Sequence, residues 1–422
     1  MIQIPQKFYL VVDDRFELFY RGALKKYNPY EHYVKATCDK GYTYNRYFTY
    51  TPKVGEEGEY ELVLEVIDDN GEVIESAKTI LVVNGYEKPR KKLNILCIGD
   101  SETVNGVWPY TVFERFEKIY PGLLNFIGKM KKEEVGYEGY GGWQWKTFCF
   151  DETESRTSSV WVNVNNNLPS DFIHTKWINN NFEWILETIY VDKLKFKRGK
   201  DNNLVNPDLE KTFILKNDEN ITLTIDNYSY SDANPFWNNE TKTIDFKHYI
   251  KENNFPEPDI IFTFLTGNGL YEPYSNKFLH HRKYARVFLE QLHKDFPEAM
   301  IGIMGVELPC VNGGVTTCYG ASGYYHDWYG YAITVFNYDK WLEELTYEDE
   351  YKSFMVYSDM KCQFDSENNY PYEMVKVNNR SQVLEKIGIN GLHPSLDGYK
   401  QIGDAFYRFL FEIIRRKNEY DK

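Results

Sequence analysis

The chain has 422 residues, 27% of them charged and 42% hydrophobic, and a formal net charge of −14. This is an ordinary globular composition with room for two or three domains, but the acidic balance argues against nucleic acid as a partner, because phosphate neutralisation needs clustered Lys and Arg. No apolar run approaches the ~18 residues of a membrane span, no basic-then-apolar leader opens the chain, and six cysteines are too few for a disulfide scaffold.

Residues 1–86 read as an all-β module. Tyr60, Leu62, Leu64 and Val66 alternate with Glu59, Glu61 and Glu65, a period of two that buries one face of a strand and wets the other. Asp69-Asn70-Gly71 then reads as a hairpin turn before a second strand, Val73 to Val83. Glu57-Gly58-Glu59-Tyr60 resembles the tyrosine corner of immunoglobulin-like sandwiches. Residues 87–92, Glu-Lys-Pro-Arg-Lys-Lys, are polar and contain a proline, as a linker does.

From residue 93 the pattern changes to strands alternating with helices, which implies a parallel α/β sheet. Strands are expected at Leu93–Ile98, Asp259–Leu265 and Met300–Val306. Helices are expected at Pro109–Ile119, at Lys277–Lys294 with Tyr284, Val287, Phe288 and Leu292 on one stripe, and near the C-terminus with Tyr399, Ile402, Phe406, Phe409 and Ile413 inward. Between about 150 and 235 the alternation breaks into an Asn-rich, strand-like excursion, exemplified by Ile221, Leu223 and Ile225, and this reads as an insertion.

Gly99-Asp100-Ser101-Glu102-Thr103 follows the first α/β strand. A serine at a strand's C-terminal end, before a helix, sits where open α/β sheets place their sites, and its backbone N–H lies among unpaired donors. A serine nucleophile needs a base. Of the eight histidines, His393 stands before Pro394 on a loop entering the last amphipathic helix, where a side chain is presented rather than packed. His280, His281 and His293 fall on or beside a helix and read as surface groups, and His326 lies in an aromatic-rich loop.

Four blocks in this order resemble the SGNH (GDSL-type) hydrolase superfamily: Gly99-Asp100-Ser101-Glu102-Thr103; Glu138-Gly139-Tyr140-Gly141-Gly142-Trp143; Leu265-Thr266-Gly267-Asn268-Gly269; and Asn390-Gly391-Leu392-His393-Pro394. The resemblance covers about 93 to 415 and implies a three-layer α/β fold with a central parallel sheet, here preceded by the β-sandwich and interrupted by the β-rich insertion. It further implies that Ser101 is the nucleophile and His393 its base. The oxyanion hole would be the backbone N–H groups of Ser101 and Gly142 with the Asn268 side-chain amide, each donor being worth roughly 3–4 kcal/mol in acyl transfer.

Two departures matter. Thr266 and Gly269 replace the family's Gly and Asp around Asn268. More seriously, Asn390 stands where the family has the Asp that orients the histidine and stabilises the imidazolium; an amide does only the first, and only with its carbonyl toward Nδ1. Three readings stay open: Asn390 as a neutral orienter, a Ser–His dyad held by a backbone carbonyl, or a carboxylate such as Asp359 or Asp365 in its place. The dyad, with or without Asn390, is favoured. Asp100 itself reads as a structural group whose carboxylate accepts backbone N–H bonds and holds the turn.

The activity implied is hydrolysis of an ester through an acyl-enzyme, with O-deacetylation of an acetylated carbohydrate as the leading expectation. Aromatic residues make up 17% of the chain. Trp108, Trp143 and Trp145 adjoin the blocks, and Tyr319, Tyr324, Tyr325, Trp328, Tyr329 and Tyr331 crowd one Gly-containing stretch, so Trp143, Tyr324 and Trp328 are expected to line a sugar-binding wall. The alternative is a non-catalytic glycan-binding or structural module on the same scaffold. No cofactor is implied, and no His or acidic spacing suits a metal; Cys310 and Cys318, the closest pair of cysteines, also lack zinc spacing. With no leader and no membrane segment, a cytoplasmic location is the default expectation, and a phage particle or leaderless export is the alternative.

Overall fold

Seven strands account for the first 86 residues in the computed structural model: β1 (Lys7–Val11), β2 (Phe16–Phe19), β3 (Tyr33–Thr37), β4 (Tyr42–Thr43), β5 (Tyr47–Tyr50), β6 (Gly58–Ile67) and β7 (Val73–Asn84), with a short helix α1 (Tyr20–Ala23) after β2. They form a four-stranded sheet, β1-β7-β6-β3, and a three-stranded sheet, β2-β5-β4. On β6 the expected alternation is met, with Leu62, Leu64 and Val66 buried and Glu59 and Glu61 exposed. Lys35 and Glu65, directly opposite on β3 and β6, pair at 3.1 Å on the wet face. The loop between β6 and β7 is longer than a two-residue turn: Asp68 N–H donates to Glu72 O at 3.0 Å, and the Asp68 carboxylate accepts from the Asn70 and Glu72 amides. Tyr60 donates its hydroxyl to Glu56 O, four residues back along the chain, at 2.9 Å.

The structure describes residues 1–149, 159–164, 168–189, 193–198, 209–230, 234–238, 240–270, 272–311 and 327–420. The chain divides into two units, one of Met1–Trp145 with Ile250–Lys422 and the other of Lys146–Tyr249. The first is mixed α/β. Its sheet follows the order β10-β11-β8-β21-β22-β23 with β9 beside β8, where β8 is Leu93–Gly99, β9 Leu124–Ile127, β10 Met130–Lys132, β11 Val135–Gly139, β21 Ile260–Phe264, β22 Met300–Met304 and β23 Met355–Ser358. All its pairings are parallel except β10 with β11. The second unit holds a seven-stranded antiparallel sheet of β12 (Ser159–Asn163), β13 (Lys176–Asn179), β14 (Phe182–Ile189), β15 (Lys193–Arg198), β16 (Thr212–Leu215), β17 (Asp218–Thr224) and β18 (Asn227–Tyr230), and the short pair β19 (Trp237–Asn238) and β20 (Thr243–Ile244); the apolar core of the sheet includes Val160, Trp177, Trp184, Phe196, Phe213, Leu223 and Ile225.

Eight α-helices lie among the described residues, α1 and seven more: α2 (Ser101–Val104), α3 (Val107–Glu117), α4 (Trp145–Phe148), α5 (Phe246–Glu252), α6 (Leu279–Asp295), α7 (Trp328–Thr346) and α8 (Leu396–Tyr420). The last buries the expected stripe of Tyr399, Ile402, Phe406, Phe409 and Ile413, together with Leu410, Phe411 and Ile414. Phe406 stacks on Trp108 of α3 at 3.9 Å between ring centroids, and Tyr9 of β1 stacks on Phe409 at 5.7 Å, so the first strands and the parallel sheet share one core. Truncating Phe406 to Ala removes a ring from the centre of that core and costs about 3–5 kcal/mol by the usual range for such changes. On α6 the inward stripe is rotated from the expected one: His281, Ala285, Phe288, Leu289 and Leu292 are buried, and Val287 faces out. His281 is therefore a core residue, not the surface group expected, and burial lowers its pKa to about 4.

Candidate active site

Three neighbouring parallel strands, β11, β8 and β21, deliver three of the four blocks to one edge of the sheet. Gly139 of β11 and Phe264 of β21 lie opposite Gly99 of β8, and Tyr140 N–H donates to Gly99 O at 3.0 Å. Gly99 is required by space: a Cβ there would lie 2.0 Å from Thr103 Oγ1 and 2.7 Å from Phe264 O. The chain turns directly into α2, which begins at Ser101. Neither the amide nor the hydroxyl of half-buried Ser101 has a protein partner among the described residues, which leaves both available to a substrate.

Asp100 caps α2 and is fully buried. One carboxylate oxygen accepts from Glu102 N–H at 3.1 Å. The other accepts from Thr266 N–H and Thr266 Oγ1, both at 2.8 Å, and from Asn268 Nδ2 at 2.9 Å. Burial raises the pKa of this carboxyl, and the four donors pull it back. Thr266, a departure from the family pattern, thus supplies two donors to the turn. Asn268 spends one amide hydrogen on Asp100 and keeps the second. Gly269, the other departure, has φ +85°, and a Cβ there would lie 2.4 Å from Gln144 Oε1.

The loop after β11 approaches from the other side. A Cβ on Gly141 would stand 4.0 Å from Ser101 Cβ, and Gly142 sits at φ +79° with open space where a side chain would project. Both glycines are exposed, so the rim beside Ser101 faces solvent.

His393 lies on the loop before α8. That loop is tied down by Cys310 N–H to Gly391 O at 2.9 Å and by Ser395 N–H to Asn369 O at 2.8 Å. Asn390 folds back over it, and its Oδ1 accepts from Leu392 N–H at 3.1 Å and His393 N–H at 2.9 Å. Those two bonds fix the amide, so Nδ2, not the oxygen, faces His393 Nδ1 at 3.4 Å. On its Nε2 side the imidazole faces Glu102 Oε1 at 3.8 Å. Burial lowers the pKa of His393. Asp359 is spent on buried Lys361 and on Cys362 N–H, and Asp365 on Arg46 at 2.7 Å. Glu102 was not among the acids considered from sequence, although its place next to Ser101 was a signal that could have raised it.

Beneath these groups lies a set of buried acids. Burial raises the Glu102 pKa well above its ordinary value, with the charges of Glu307 and Asp100 adding to it. Burial likewise pushes Glu307 up to about 8, with Asp100 and Asp339 contributing. Among the described residues no group of His, Cys, Asp and Glu is arranged to hold a metal ion.

The aromatic residues divide. Trp143 is 1% exposed and stacks on Tyr140 at 4.4 Å, so it packs in the core and does not line a wall. Trp108 and Trp145 are buried as well, with indole N–H groups donating to Thr103 Oγ1 at 3.1 Å and Tyr338 hydroxyl at 2.7 Å. Trp328, at the start of α7, is only half-buried and meets Tyr27 at 5.6 Å and Tyr329 at 6.0 Å. Tyr27 is 65% exposed and Tyr274, which meets Tyr329 at 6.3 Å, is 54% exposed. Tyr27 comes from the first segment of the chain and was not anticipated. Tyr324, with Tyr319, Tyr325 and His326, lies outside the described residues.

No family model matches the chain, and no curated protein matches it in sequence. Among solved structures, a peptidoglycan O-acetylesterase aligns at 11% identity over 77% of this chain and 92% of that one, with a TM-score of 0.30. The protein SGBP-B of a Bacteroides ovatus mixed-linkage glucan utilization locus, in complex with a mixed-linkage heptasaccharide, aligns at 10% identity over 54% of this chain and 43% of that one, with a TM-score of 0.15. Superpositions this loose do not assign the chain to a family.

Two consequences can be measured. With a carboxylate at position 390, one oxygen can keep the two backbone bonds and the other can accept from Nδ1–H. Asn390→Asp is therefore expected to raise kcat/KM for an ester by roughly tenfold; a hundredfold loss would contradict the geometry. The second concerns pH. An unfolded glutamate titrates near ~4.3, whereas Glu307 stays protonated to about 8. Across that window the folded chain holds a proton that the unfolded chain has released, so this group's contribution to stability is full at low pH and is lost as pH rises. Urea unfolding should show Glu307→Gln gaining on the wild type between pH 5 and pH 8; an unchanged difference would refute the assignment.

Proposed function

We propose that the chain is a serine carboxylic ester hydrolase on an SGNH-type scaffold, and that it removes acetyl groups from a glycan. One observation carries the reading: three consecutive residues each meet a different one of the other blocks. Asp100 binds Asn268 at 2.9 Å, Ser101 Cβ stands 4.0 Å from the Cβ position of Gly141, and Glu102 faces His393 at 3.8 Å. Groups from four distant parts of the sequence have no packing reason to converge on an exposed glycine rim.

In this reading Ser101 Oγ adds to the ester carbonyl carbon while its proton passes to His393. The carbonyl oxygen takes the displaced electron pair and is held by Ser101 N–H, Gly142 N–H and the second Asn268 amide hydrogen. The imidazolium then gives its proton to the departing alcohol oxygen, and water repeats the sequence on the acyl-enzyme.

The substrate class rests on the exposed aromatic patch. Tyr331, one turn along α7 from Trp328, sits against Gly267, where a Cβ would lie 1.8 Å from the Tyr331 hydroxyl. In this reading Trp328, Tyr329, Tyr27 and Tyr274 flank the Asn268 side of the site. Rings with an apolar face and a polar edge suit sugar rings, whose C–H faces are apolar. Among the described residues no helix is long and apolar enough to cross a membrane. A second reading, a glycan-binding module without turnover, draws on the Asn390 nitrogen facing Nδ1, which disfavours the protonated ring.

A panel of acetylated xylan, mannan, pectin, peptidoglycan and synthetic acetyl-sugars decides between the two. Wild type is expected to release acetate from at least one, and Ser101→Ala to lose roughly a thousandfold or more in rate. Binding without acetate release would favour the module. Trp328→Ala and Tyr27→Ala are expected to raise KM severalfold on the glycan and to leave kcat/KM on 4-nitrophenyl acetate within about twofold; equal losses on both substrates would remove the patch from substrate binding.

A further inference from the structure

The loop that carries His393 is held at both ends by one segment, residues 365–371. Before the loop, Ile389 N–H donates to Pro371 O at 3.0 Å. After it, Asn369 O accepts from Ser395 N–H at 2.8 Å and from Ser395 Oγ at 3.0 Å. The approach is close: a Cβ on Gly398, in the first turn of α8, would lie 2.3 Å from Asn369 O. The segment is itself closed by a bond from Asn369 N–H to Asp365 O at 2.9 Å. Gln401 Oε1 of α8 accepts from Asp365 N–H at 2.9 Å and from Asn369 Nδ2 at 2.6 Å. The position of residues 365–371 therefore sets that of the loop.

What fixes that segment on its other side comes from the first 86 residues. Arg46, in the turn between β4 and β5, donates from Nη2 to Asp365 Oδ1 and from Nε to Glu367 Oε2, both at 2.7 Å. Arg21 of α1 donates from Nε to Glu367 Oε1 at 2.7 Å, and the Tyr30 hydroxyl donates to Glu367 Oε2 at 3.0 Å. The side chains of Arg21, Asp365 and Glu367 are largely buried, so these charge-assisted bonds are shielded from water as most surface pairs are not. Burial opposes the charge on Glu367, yet its pKa is lowered, because Arg21, Arg46 and Tyr30 more than offset the burial. The backbones meet as well: Phe19 N–H donates to Cys362 O at 2.7 Å, and a Cβ on Gly22 would lie 1.9 Å from Lys361 O.

Resting on the reading of His393 as the base of Ser101, we propose that Arg21 and Arg46 are positioning residues for His393, and that the first 86 residues brace the loop that carries it. Arg46 binds carboxylates two residues apart, which fixes the direction of 365–367 as well as its position, a task that suits the rigid guanidinium fork and not a single ammonium. From Arg46 to the loop every step is a hydrogen bond, through Asp365, Asn369 and Ser395. The arginines are not what holds the first residues on the parallel sheet. That is done elsewhere, by Tyr9 stacked on Phe409 and by Arg408 paired with Asp14 at 3.0 Å. Arg21 and Arg46 act through the segment and not on the substrate.

The test separates loop placement from folding and from turnover. Wild type is compared with Arg21→Ala/Arg46→Ala, Arg46→Lys and Glu367→Gln, and with Lys35→Ala, a control that breaks the pair between β3 and β6. Each is checked for folding by circular dichroism. Deuterium uptake is followed by mass spectrometry, and kcat and KM are measured on 4-nitrophenyl acetate. In the double variant, peptides spanning 389–395 are expected to exchange roughly tenfold faster, with peptides of β6 and β7 unchanged. Its kcat is expected to fall by roughly tenfold to a hundredfold, with KM within about twofold. Arg46→Lys is expected to recover part of both effects, and Lys35→Ala to match wild type. Should the double variant not fold, Arg46→Lys and Glu367→Gln carry the same readings in smaller amount. Unchanged uptake at 389–395 in the folded variants, or an unchanged kcat in an active enzyme, overturns the proposal. So does a rise spread evenly over the first 86 residues and the loop, which would make the arginines general stabilisers. Faster uptake confined to the loop, with no turnover by any protein including wild type, keeps the brace and rejects the esterase reading.

Discussion

The site depends on one buried carboxylate. Asp100 sits at the C-terminal end of a central parallel strand, where burial disfavours its charge, and it gathers four donors from its own turn and from the end of the next strand. Those bonds do two jobs. They fix the turn that presents Ser101, and they aim the Asn268 amide at the same edge of the sheet. Replacing Asp100 by an apolar residue would leave Thr266 and Asn268 donors unpaired in a dry environment, a larger loss than one hydrogen bond.

Buried acids crowd that turn. Glu102 and Glu307 lie buried close to Asp100, Asp339 lies beside Glu307, and burial raises the pKa of each above its ordinary range. A serine esterase gains from negative charge that faces the imidazolium and loses from negative charge that faces the oxyanion. The glycine rim and the Asn268 amide reach Ser101 from the two strands that flank β8, and Glu102 faces His393 at 3.8 Å. Asn390 helps to hold the His393 loop in place, and it does so with the oxygen that an aspartate would have offered to the ring.

Much of this was legible in the sequence because the relevant signals are local. Gly99-Asp100-Ser101 announces a tight turn at a strand end, and the period-two alternation of Leu62, Leu64 and Val66 announces a one-sided strand. The stripe on the last helix was legible for the same reason, since Tyr399 through Ile413 repeat at helical spacing. What was not legible depends on distance. The burial of Trp143 follows from Tyr140 stacking on it, and the buried face of α6 is set by Tyr338 and Gly269, which hold His281 inside. The role of Thr266 appears only once the ends of β8 and β21 are side by side. Tyr27 joins Trp328 across 301 positions of sequence, with ring centroids 5.6 Å apart, and nothing in the spacing of either residue points to the other. The orientation of the Asn390 amide is decided by two backbone N–H groups, a matter of bond geometry that residue identity alone leaves open.

The central claim is that Ser101 is a nucleophile activated at this turn. Intact-mass and peptide mass spectrometry after incubation with a fluorophosphonate tests it most directly, because the probe reports covalent attack without any assumption about the glycan. The account predicts one adduct per chain, located on Ser101 and absent from Ser101→Ala. An unlabelled wild-type chain, or an adduct on another residue that persists in Ser101→Ala, would contradict it.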